Sequence, residues 1–399
     1  MSYESLGKIY YKNNEKYEDI YQSRFNSEFT IKFDFNIGEH QSFLVINNDI
    51  LTLVSAIMKS DKNLSKASLG LPPIALKYFL KRCLIDEIQI TNEIEGVRST
   101  KREIRALVDT KEKSKEKKRL YGLVQKYKLL LSDINFSLDT CEDIRTLYDE
   151  FVLAEVEREN VKNIPDGKIF RKDMVEIISP SQKVIHKGVF PEEKIIDLLT
   201  KALNVLKVID INPLVKIALF HYMFGYIHPF YDGNGRVSRF ISSYLLNKEL
   251  EKMVGFSLSN SIKNKISKYY DIFNITNEQK NKGDMTPFVI GFLELINDGV
   301  ENLYNVIESK KEQLDFYQKI INGYADDNKS VINILYILVQ NALFDDEGLD
   351  VVRLSQITKL SDSSIRAKLK DLKAFVTSGF VGKKKVYSAN LEELSLLKK

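Results

Sequence analysis

The chain has 399 residues, a net charge of +4 and 44% hydrophobic residues, including 22 Phe and 20 Tyr. Its length suits two or three domains, and its apolar content is sufficient for packed cores, which excludes a wholly disordered chain. The small, mixed charge does not by itself indicate a nucleic-acid partner, and no apolar run is long enough for a membrane span.

Residues 1–80 are predicted to form an N-terminal region of mixed structure. The stretch "FTIKFDFNIGEH" is typical of a short strand pair or an extended segment, and "DILTLVSAIMKSDKNL" has its apolar residues at helical spacing. The N-terminal sequence lacks the apolar segment of a signal peptide. Cys83 and Cys141 have no spacing typical of a disulfide framework or a zinc site. A cytoplasmic protein is therefore expected.

Residues 81–300 are predicted to form a mainly helical domain that is interrupted by a β-hairpin. "LPPIALKYFLKRCLIDEIQITNEIEG" predicts a helix that begins at a proline and ends at Gly96. The charge run that follows is expected to be a solvated helix face or loop. A hairpin is expected between Gly167 and Pro191, where polarity alternates around Ser-Pro-Ser. Two apolar helices then flank a polar loop, so the predicted fold class is mainly α.

The C-terminal residues change in character. Residues 301–329 are predicted to form a helical linker, and 330–399 a winged helix-turn-helix of three short helices and a β-turn-β wing. Ser361 or Asp362 is expected to cap the third helix. From residue 330 onward there are 11 Lys or Arg against 8 Asp or Glu. Because this charge excess is weak, contact with DNA and contact with protein both stay open.

The loop between the two apolar helices, "HPFYDGNGRVSR" (228–239), concentrates residues suited to chemistry. Its glycines let backbone N–H groups converge on an anion at a helix N-terminus. Arg236 and Arg239 lie three residues apart on one helix face, so both can reach one polyphosphate. Asp232 is suited to hold Mg²⁺ against phosphates, and His228 can take a proton near neutral pH. The loop therefore predicts an anion and metal site with a base at its mouth.

The same loop matches the Fic family signature, His-Pro-Phe-x-(Asp/Glu)-Gly-Asn-Gly-Arg-x-x-Arg, at every specified position. The chain resembles this family from about residue 85 to 300. The resemblance implies a helical bundle with a β-hairpin flap, and transfer of AMP from ATP to a Ser, Thr or Tyr hydroxyl of a protein. It implies that His228 is the general base and that Asp232 holds Mg²⁺. It also implies an ATP phosphate site formed by Gly233, Asn234, Gly235, Arg236 and Arg239.

Two further stretches resemble parts of the family. "KYYDIFNITN" resembles its adenine-side helices, which implies nucleoside contacts at Tyr269, Tyr270 and Asn277, although a tyrosine pair on a helix often only packs. "GKIFRKDMVEI" resembles its flap, whose residues would pair with the target backbone. These flap residues are Val175, Glu176, Ile177 and Ile178. Phe230 is expected to anchor the signature loop in the core. The phosphorylating Doc branch usually has lysine at the position of Gly235, so Gly235 favours AMP transfer.

"TNEIEG", from Thr91 to Gly96, resembles the inhibitory motif (Ser/Thr)-x-x-x-Glu-(Gly/Asn) of Fic proteins with an N-terminal inhibitor. The inhibitory helix is placed near residues 80–96. Glu95 would pair with Arg239 and exclude the γ-phosphate of ATP from it. A low resting activity is therefore predicted, which Glu95→Gly should raise and His228→Ala should abolish.

Several alternatives stay open at this point. The chain could remove AMP from its target as well as add it, could modify itself, and could form a homodimer. A group other than AMP, such as phosphate or phosphocholine, could be transferred by the same residues. A regulator of a different class is also conceivable, in which a winged helix binds DNA and a Fic core senses nucleotide. ATP as substrate, Mg²⁺ and a target protein are the expected partners, with no membrane contact.

Overall fold

The computed structural model describes residues 3–109, 119–132, 134–178, 184–207, 210–324, 328–345 and 347–397. These residues pack as two compact units, of which the first comprises 1–61 and 84–301 and the second 62–83 and 302–399. The four predicted segments stay predictions, because this division follows packing and groups the early residues differently. No described helix is long and apolar enough to cross a membrane.

The chain is mainly helical, which confirms the predicted fold class. The helices of the first part are α1 Leu6–Lys12, α2 Tyr17–Phe25, α3 Asn48–Leu69, α4 Pro73–Ile94, α5 Lys101–Val108, α6 Tyr121–Leu129, α7 Cys141–Tyr148, α8 Ala154–Glu159 and α9 Glu192–Lys207. They are followed by α10 Pro213–Ile227, α11 Asn234–Glu249, α12 Leu258–Asn264, α13 Ile266–Asn277, α14 Thr286–Tyr324, α15 Lys329–Phe344, α16 Val351–Thr358, α17 Asp362–Asp371 and α18 Leu391–Leu396.

The described strands form three antiparallel hairpins. They are β1 Thr30–Ile37 with β2 His40–Val45, β3 Glu176–Ile178 with β4 Val184–Lys187, and β5 Val376–Val381 with β6 Lys384–Ala389. The first hairpin confirms the predicted strand pair, and the second lies inside the predicted interval. The turn of the second hairpin, 179–183, and the middle of the charge run, 110–118, lie outside the described residues.

Helix α10 forms the centre of the first unit. Almost all of its side chains are buried, as expected for a helix that is apolar on every face. It packs against α9 on one side and α11 on another. Asn212 caps its N-terminus by accepting from the Leu214 amide, and proline occupies its first turn, a favoured arrangement for helix initiation. This packing fixes the end of α10, where the signature loop begins.

A π-helical turn, Asp149–Leu153, joins α7 and α8. Single π turns insert one residue and frequently occur at functional sites. Here the turn buries Phe151 and Val152, and Val152 lies beneath the signature loop at Gly233. The sequence pattern predicted continuous helix here and did not reveal this turn.

The second unit contains the predicted order of three helices and a hairpin, namely α15, α16, α17, β5 and β6. Ser361 caps α17 by accepting from the Ser364 amide, which selects one of the two predicted caps. Helix α18 follows the hairpin and was not predicted. The assignment of this unit as a winged helix stays a prediction.

Candidate functional site

The signature loop is held at both ends by backbone conformations that are rare for ordinary residues. Helix α10 ends at His228, whose φ of 53° and ψ of 62° are left-handed, and whose amide donates to the Phe224 carbonyl. Helix α11 begins after Gly233, whose φ is +83°. A Cβ at Gly233 would lie 3.0 Å from Val152 Cγ2. Glycine is therefore needed at this position for conformation and for space.

Asn234 and Phe230 close the loop between these ends. The Asn234 Oδ1 accepts from the Phe230 amide at 2.9 Å, and its Nδ2 donates to the Phe230 carbonyl at 2.8 Å. Phe230 is fully buried, and its ring stacks on Tyr148 with centroids 3.8 Å apart. The predicted anchoring role of Phe230 is confirmed. Asn234 therefore braces the loop with both ends of its amide, in addition to any ligand contact.

A cavity of about 460 Å³ opens above the loop, within the first unit. Many predicted site residues line it: Glu95, Val175, Glu176, His228, Asn234, Gly235, Arg239, Tyr269, Tyr270 and Asn277. Its lining also includes residues that were not predicted: His186, Gly225, Tyr231, Ser238, Phe273 and Asn274. Predicted residues from five separate segments thus meet in a space large enough for a small-molecule ligand.

His228 is poised as a proton acceptor in this cavity. Burial lowers its pKa to about 4, so the imidazole is uncharged at neutral pH. Its Nδ1 lies 3.4 Å from the Gly225 carbonyl oxygen. Because a carbonyl only accepts, Nδ1 carries the ring proton and Nε2 keeps its lone pair. This protonation state suits a general base.

Arg239 is almost completely buried and is held by the end of α4. Its Nη2 lies 2.7 Å from Glu95 Oε1 and donates to the Thr91 carbonyl at 3.0 Å. Its Nε donates to Thr91 Oγ1 at 2.8 Å. Burial raises the pKa of Glu95, but the charge of Arg239 outweighs it and holds that pKa below 4.5. The contact is thus an ion pair between a buried guanidinium and an ionised carboxylate, with Thr91 bracing the cation.

The carboxylate of Glu95 lies directly against the first turn of α11. A Cβ built on Gly235 would lie 2.1 Å from Glu95 Oε1 and 3.0 Å from Arg239 Nη1. The N-terminus of a helix attracts anions through its unpaired amides and its dipole. Glu95 therefore occupies a position that favours an anion at the start of α11, and Gly235 leaves room for it.

Arg236, predicted to neutralise phosphates, does not line the cavity. Its side chain is fully buried, and its Nη1 lies 2.9 Å from Oε2 of the buried Glu155. Its Nη2 lies 3.5 Å from Asp232 Oδ1. Among the described residues, no hydrogen-bond partner meets its Nε or Nη2. Arg236 is therefore a buried cation that pairs with Glu155 and lies beside Asp232, and its contact with phosphates stays a prediction.

Asp232, the predicted Mg²⁺ ligand, has a side chain that is 32% exposed at the edge of the loop. Its Oδ1 accepts from the Gly233 amide. Within the described part of the chain, no cluster of three or more His, Cys, Asp or Glu side chains could hold a metal. Mg²⁺ usually binds one or two carboxylates and takes its other ligands from water and substrate phosphates. A single exposed carboxylate beside an anion site fits that pattern.

The predicted nucleoside contacts differ in exposure. Tyr269 is buried, and its hydroxyl lies 2.9 Å from His221 Nε2. Tyr270 is 39% exposed. Asn277 Oδ1 accepts from the Tyr222 hydroxyl at 2.7 Å. All three residues line the cavity, and Tyr269 in addition packs in the core.

The flap carries its predicted residues at the cavity rim. Val175 and Glu176 line the cavity, and Glu176 pairs across the hairpin with Lys187 at 3.2 Å. For Ile177 and Ile178 the structure describes only the strand backbone, and the predicted pairing of this segment with a target backbone stays a prediction. His186 on the partner strand lies 2.7 Å from the Tyr226 carbonyl through Nε2, which ties the flap to α10.

Sequence reasoning missed four residues that shape this site: Arg171, Glu155, His186 and His221. Arg171 and Glu155 are charged and buried. A charged residue inside an apolar stretch is the sequence feature that indicates such a position, although "GKIFRKD" also contains exposed charges. His221 is fully buried, bonds Tyr269 and Ser242, and has a pKa lowered by burial to about 3. Within "ALFHYMF" it is indistinguishable from an ordinary core histidine.

Comparison with known proteins gives three findings. Residues 140–246 match the sequence model of the Fic/DOC family. The chain is 38% identical over 87 residues to "Protein adenylyltransferase Fic" of Drosophila erecta, which covers 22% of this chain and 16% of that protein. It is 27% identical over 223 residues to the protein of the same name from Aedes aegypti, covering 54% and 41%. The chain thus spans less than half the length of these curated relatives.

A solved structure resembles the chain over a longer range. It is the crystal structure of a Fic family protein from Desulfovibrio desulfuricans G20, with a TM-score of 0.53 and 19% identity. The match covers 86% of this chain and 97% of that one. At this identity the likeness concerns the fold.

Proposed function

We propose, on the premise that residues 140–246 match the sequence model of the Fic/DOC family, that this chain is a protein adenylyltransferase. It transfers AMP from ATP to a Ser, Thr or Tyr hydroxyl of a target protein. The observation that carries this proposal is the single cavity lined by the uncharged base His228, the buried cation Arg239 and the start of α11 at Gly235. These are the groups that transfer of a nucleotidyl group to a hydroxyl requires.

In this mechanism His228 Nε2 takes the proton of the target hydroxyl. The hydroxyl oxygen then forms a bond to the α-phosphorus of ATP, and the bond to the β-phosphate breaks to release pyrophosphate. The amides at the start of α11 and the donors of Arg239 stabilise the negative charge of the phosphates. Asp232 would hold Mg²⁺, which supplies further charge neutralisation when bound. The backbone of β3 offers an edge on which a target segment can add as a strand.

We also propose that the enzyme is inhibited by its own helix α4. The support is the contact of Glu95 with both Arg239 and the first turn of α11. Arg239 cannot bind a γ-phosphate while it is paired with this carboxylate, and two anions would compete for one helix N-terminus. ATP that binds under these conditions is misplaced, and a misplacement of about 1 Å costs on the order of 100-fold in rate.

The proposed activity and its inhibition are tested together with Glu95→Gly. Incubated with ATP and Mg²⁺, this variant should label itself or proteins of a cell lysate about 100-fold faster than the native chain. Intact-mass and peptide mass spectrometry should show the addition of one adenosine monophosphoryl group per site. A mass increase of one phosphate or one phosphocholine would instead assign a different transfer to this site.

Two matched variants interpret the result. Glu93→Gly is a control for loosening the end of α4, because Glu93 pairs with Lys263 and does not line the cavity; it should not raise labelling. His228→Ala in the Glu95→Gly background should abolish labelling. Labelling that survives this second change would refute the role of His228, and equal rates for Glu95→Gly and the native chain would refute the inhibition.

The same residues could also remove AMP, with Glu95 orienting a water molecule toward the modified target. This extension predicts that the native chain, but not Glu95→Gly, releases AMP from a labelled protein.

A second candidate function concerns the C-terminal unit. The β5–β6 hairpin is exposed over most of its length, and Lys383, Lys384 and Lys385 lie exposed at its tip. Phe380 beside them is 74% exposed. Basic residues and an apolar side chain at a hairpin tip are typical of a contact with a nucleic-acid groove. In this alternative the chain is a DNA-binding regulator whose Fic core senses nucleotide.

A further inference from the structure

Arg171 is a fully buried arginine at the base of the flap. Within the described residues, its guanidinium donates to four backbone carbonyl oxygens. Nε lies 2.9 Å from His228 O, Nη1 lies 2.6 Å from Asp173 O, and Nη2 lies 2.8 Å from Val189 O and 3.4 Å from Ile227 O. Moving a cation from water into a site lined by neutral carbonyls costs desolvation free energy, which these hydrogen bonds offset only in part.

The four carbonyls belong to three segments that meet at His228. Asp173 precedes strand β3, Val189 follows strand β4, and Ile227 and His228 end helix α10. The guanidinium is planar and presents its donors in a fixed fork, so it sets the distances between the two ends of the flap and the end of α10. The Val189 amide adds a bond to the Ile227 carbonyl at 3.0 Å.

His228 needs such support because its backbone is left-handed, with φ of 53°. A residue other than glycine in this region is strained by about 1–3 kcal/mol and keeps that conformation only when its surroundings fix it. The bond from Arg171 Nε to the His228 carbonyl fixes the peptide that follows this strained residue. Gly188 permits the close packing, since a Cβ there would lie 2.5 Å from Arg171 Nη2 and 3.3 Å from His228 Cβ.

We propose that Arg171 is the positioning residue for His228 and aims its imidazole into the cavity. This inference rests on the proposed function, in which His228 Nε2 accepts the proton of the target hydroxyl. Arg171 lines no part of the nucleotide cavity, so it acts on the base and leaves ATP binding unchanged.

The electrostatic surroundings of His228 agree with this role. Burial is the largest cause that lowers its pKa, and the positive charges of Arg171 and of His186, if protonated, act in the same direction. The Gly225 carbonyl and the Glu95 carboxylate act in the opposite direction. Removal of the Arg171 charge therefore raises the pKa of His228. The imidazole then stays protonated, and cannot act as a base, up to a higher pH.

The test compares Arg171→Met with Arg171→Lys. The titration of His228 is followed by NMR of the imidazole protons, and its signal is identified by its loss in His228→Ala among the four histidines of the chain. In Arg171→Met the pKa of His228 should rise. In Arg171→Lys, which keeps the charge, it should stay closer to the native value. Arg145→Met is the matched control, because Arg145 donates to the nearby Ile169 carbonyl and not to His228.

Kinetics are measured in the Glu95→Gly background. Arg171→Met should lower kcat for AMP transfer about 100-fold while KM for ATP changes by less than about twofold, as expected for a misplaced base. The acidic limb of its pH profile should move to higher pH, with partial rescue by Arg171→Lys. A purely structural role would lower the amount of folded enzyme and leave the profile and the His228 titration unchanged.

Failure to fold is checked by thermal unfolding of each variant. If Arg171→Met does not fold, Arg171→Lys keeps the charge but loses the planar fork, and it should lower kcat with KM for ATP unchanged. A folded Arg171→Met with a native His228 titration, or an Arg171→Lys with native kcat, overturns the inference. If Arg171→Met shifts the His228 titration but the Glu95→Gly parent transfers no AMP, the proposed function is contradicted and the positioning of His228 by Arg171 still holds.

Discussion

At the scale of single residues, Arg239 is the point on which the proposed regulation depends. Three acceptors from α4 meet its guanidinium: Thr91 Oγ1, the Thr91 carbonyl and Glu95 Oε1. The pairing of Glu95 with Arg239 was expected from the sequence, and the structure places the two groups 2.7 Å apart. Its inhibitory effect stays a prediction. The structure adds that Thr91 binds the same cation, which makes Arg239 a bridge between α4 and α11.

Thr91→Val removes the hydroxyl that accepts from Arg239 Nε while it preserves the shape of the side chain. Because a buried donor loses its partner, we expect the free energy of unfolding to fall by roughly 1–3 kcal/mol. Denaturant unfolding measures this change. Thr91→Ser retains the hydroxyl and should lose less; a larger loss for Thr91→Ser than for Thr91→Val would mean that packing of the methyl group, and not the hydrogen bond, dominates.

The same scale shows the limit of motif reasoning. Phe230 was predicted as an anchor from its place in the loop, and it is buried against Tyr148. Arg236 was predicted as a phosphate ligand, which stays a prediction, and the structure adds that it is buried against Glu155. The spacing of Arg236 and Arg239 places both side chains on one face of α11. The contact of Arg236 with Glu155, 81 positions away, depends on packing that spacing does not encode.

At the scale of elements, helix α4 is built to present one face to the site. Thr91 and Glu95 are four residues apart and so lie one above the other on that face. The helix ends at Ile94, and Gly96 two residues later has a φ of +72°, which agrees with a helix end near this glycine. Glu95 therefore lies directly after the last turn of a long helix.

The segment before the flap is anchored in a way that the sequence did not suggest. Glu192 in the first turn of α9 accepts from the amides of Lys168, Ile169 and Phe170 at 2.7–2.9 Å. Burial raises its pKa, but these three amides outweigh it and hold the pKa below 4.5. An ionised carboxylate at a helix N-terminus is also favoured by the dipole. This anchor fixes the stretch that leads to Arg171.

Glu192→Gln should reduce stability, because hydrogen bonds to a charged acceptor contribute roughly 1.5–3 kcal/mol and a neutral amide retains only part of that. The folded pKa is lowered, so the contribution of the carboxylate is fully present above pH 4.5 and is lost as the pH falls through the lower folded value. Denaturant unfolding at neutral pH and below pH 4.5 should therefore show a difference that shrinks with acidity. Glu193→Gln, on the same turn and exposed, is the control and should be neutral at both.

At the scale of the whole molecule, the described residues form two compact units. The first unit contains the candidate site, whose residues belong to the end of α4, the flap, the end of α10, α11 and α13. The second carries α15, α16, α17 and the β5–β6 hairpin in the predicted order. Each unit buries its own apolar residues, so each has a core that supports the elements it carries.

The second candidate function is tested on the hairpin tip. Lys383→Glu with Lys385→Glu should weaken binding to duplex DNA in a gel shift and reduce the salt dependence of the affinity by about one unit per lost phosphate contact. Lys319→Glu with Lys329→Glu carries the same change of charge on exposed helix positions of the same unit and should have little effect. No binding by the native chain at low salt would eliminate this function.

The sequence by itself determined the local features of this protein. Helix periodicity, the proline and glycine at helix ends, the left-handed glycine of the loop and the residue types of the signature all depend on neighbours within a few positions. These features were enough to predict a mainly helical fold and four residues of the loop that line the cavity, namely His228, Asn234, Gly235 and Arg239. The resemblance to the family implied the other predicted residues of the lining.

Only the tertiary structure decided how the other buried charges are paired. The family resemblance implied the pairing of Glu95 with Arg239, 144 positions apart, but nothing in the sequence implied the contact of Arg171 with His228, 57 positions apart. The same fold buries Arg236 against Glu155 and Tyr269 against His221. The physical reason is that a buried polar group must find a partner wherever packing places one. That partner is a property of the assembled core, and no pattern of nearby residues records it.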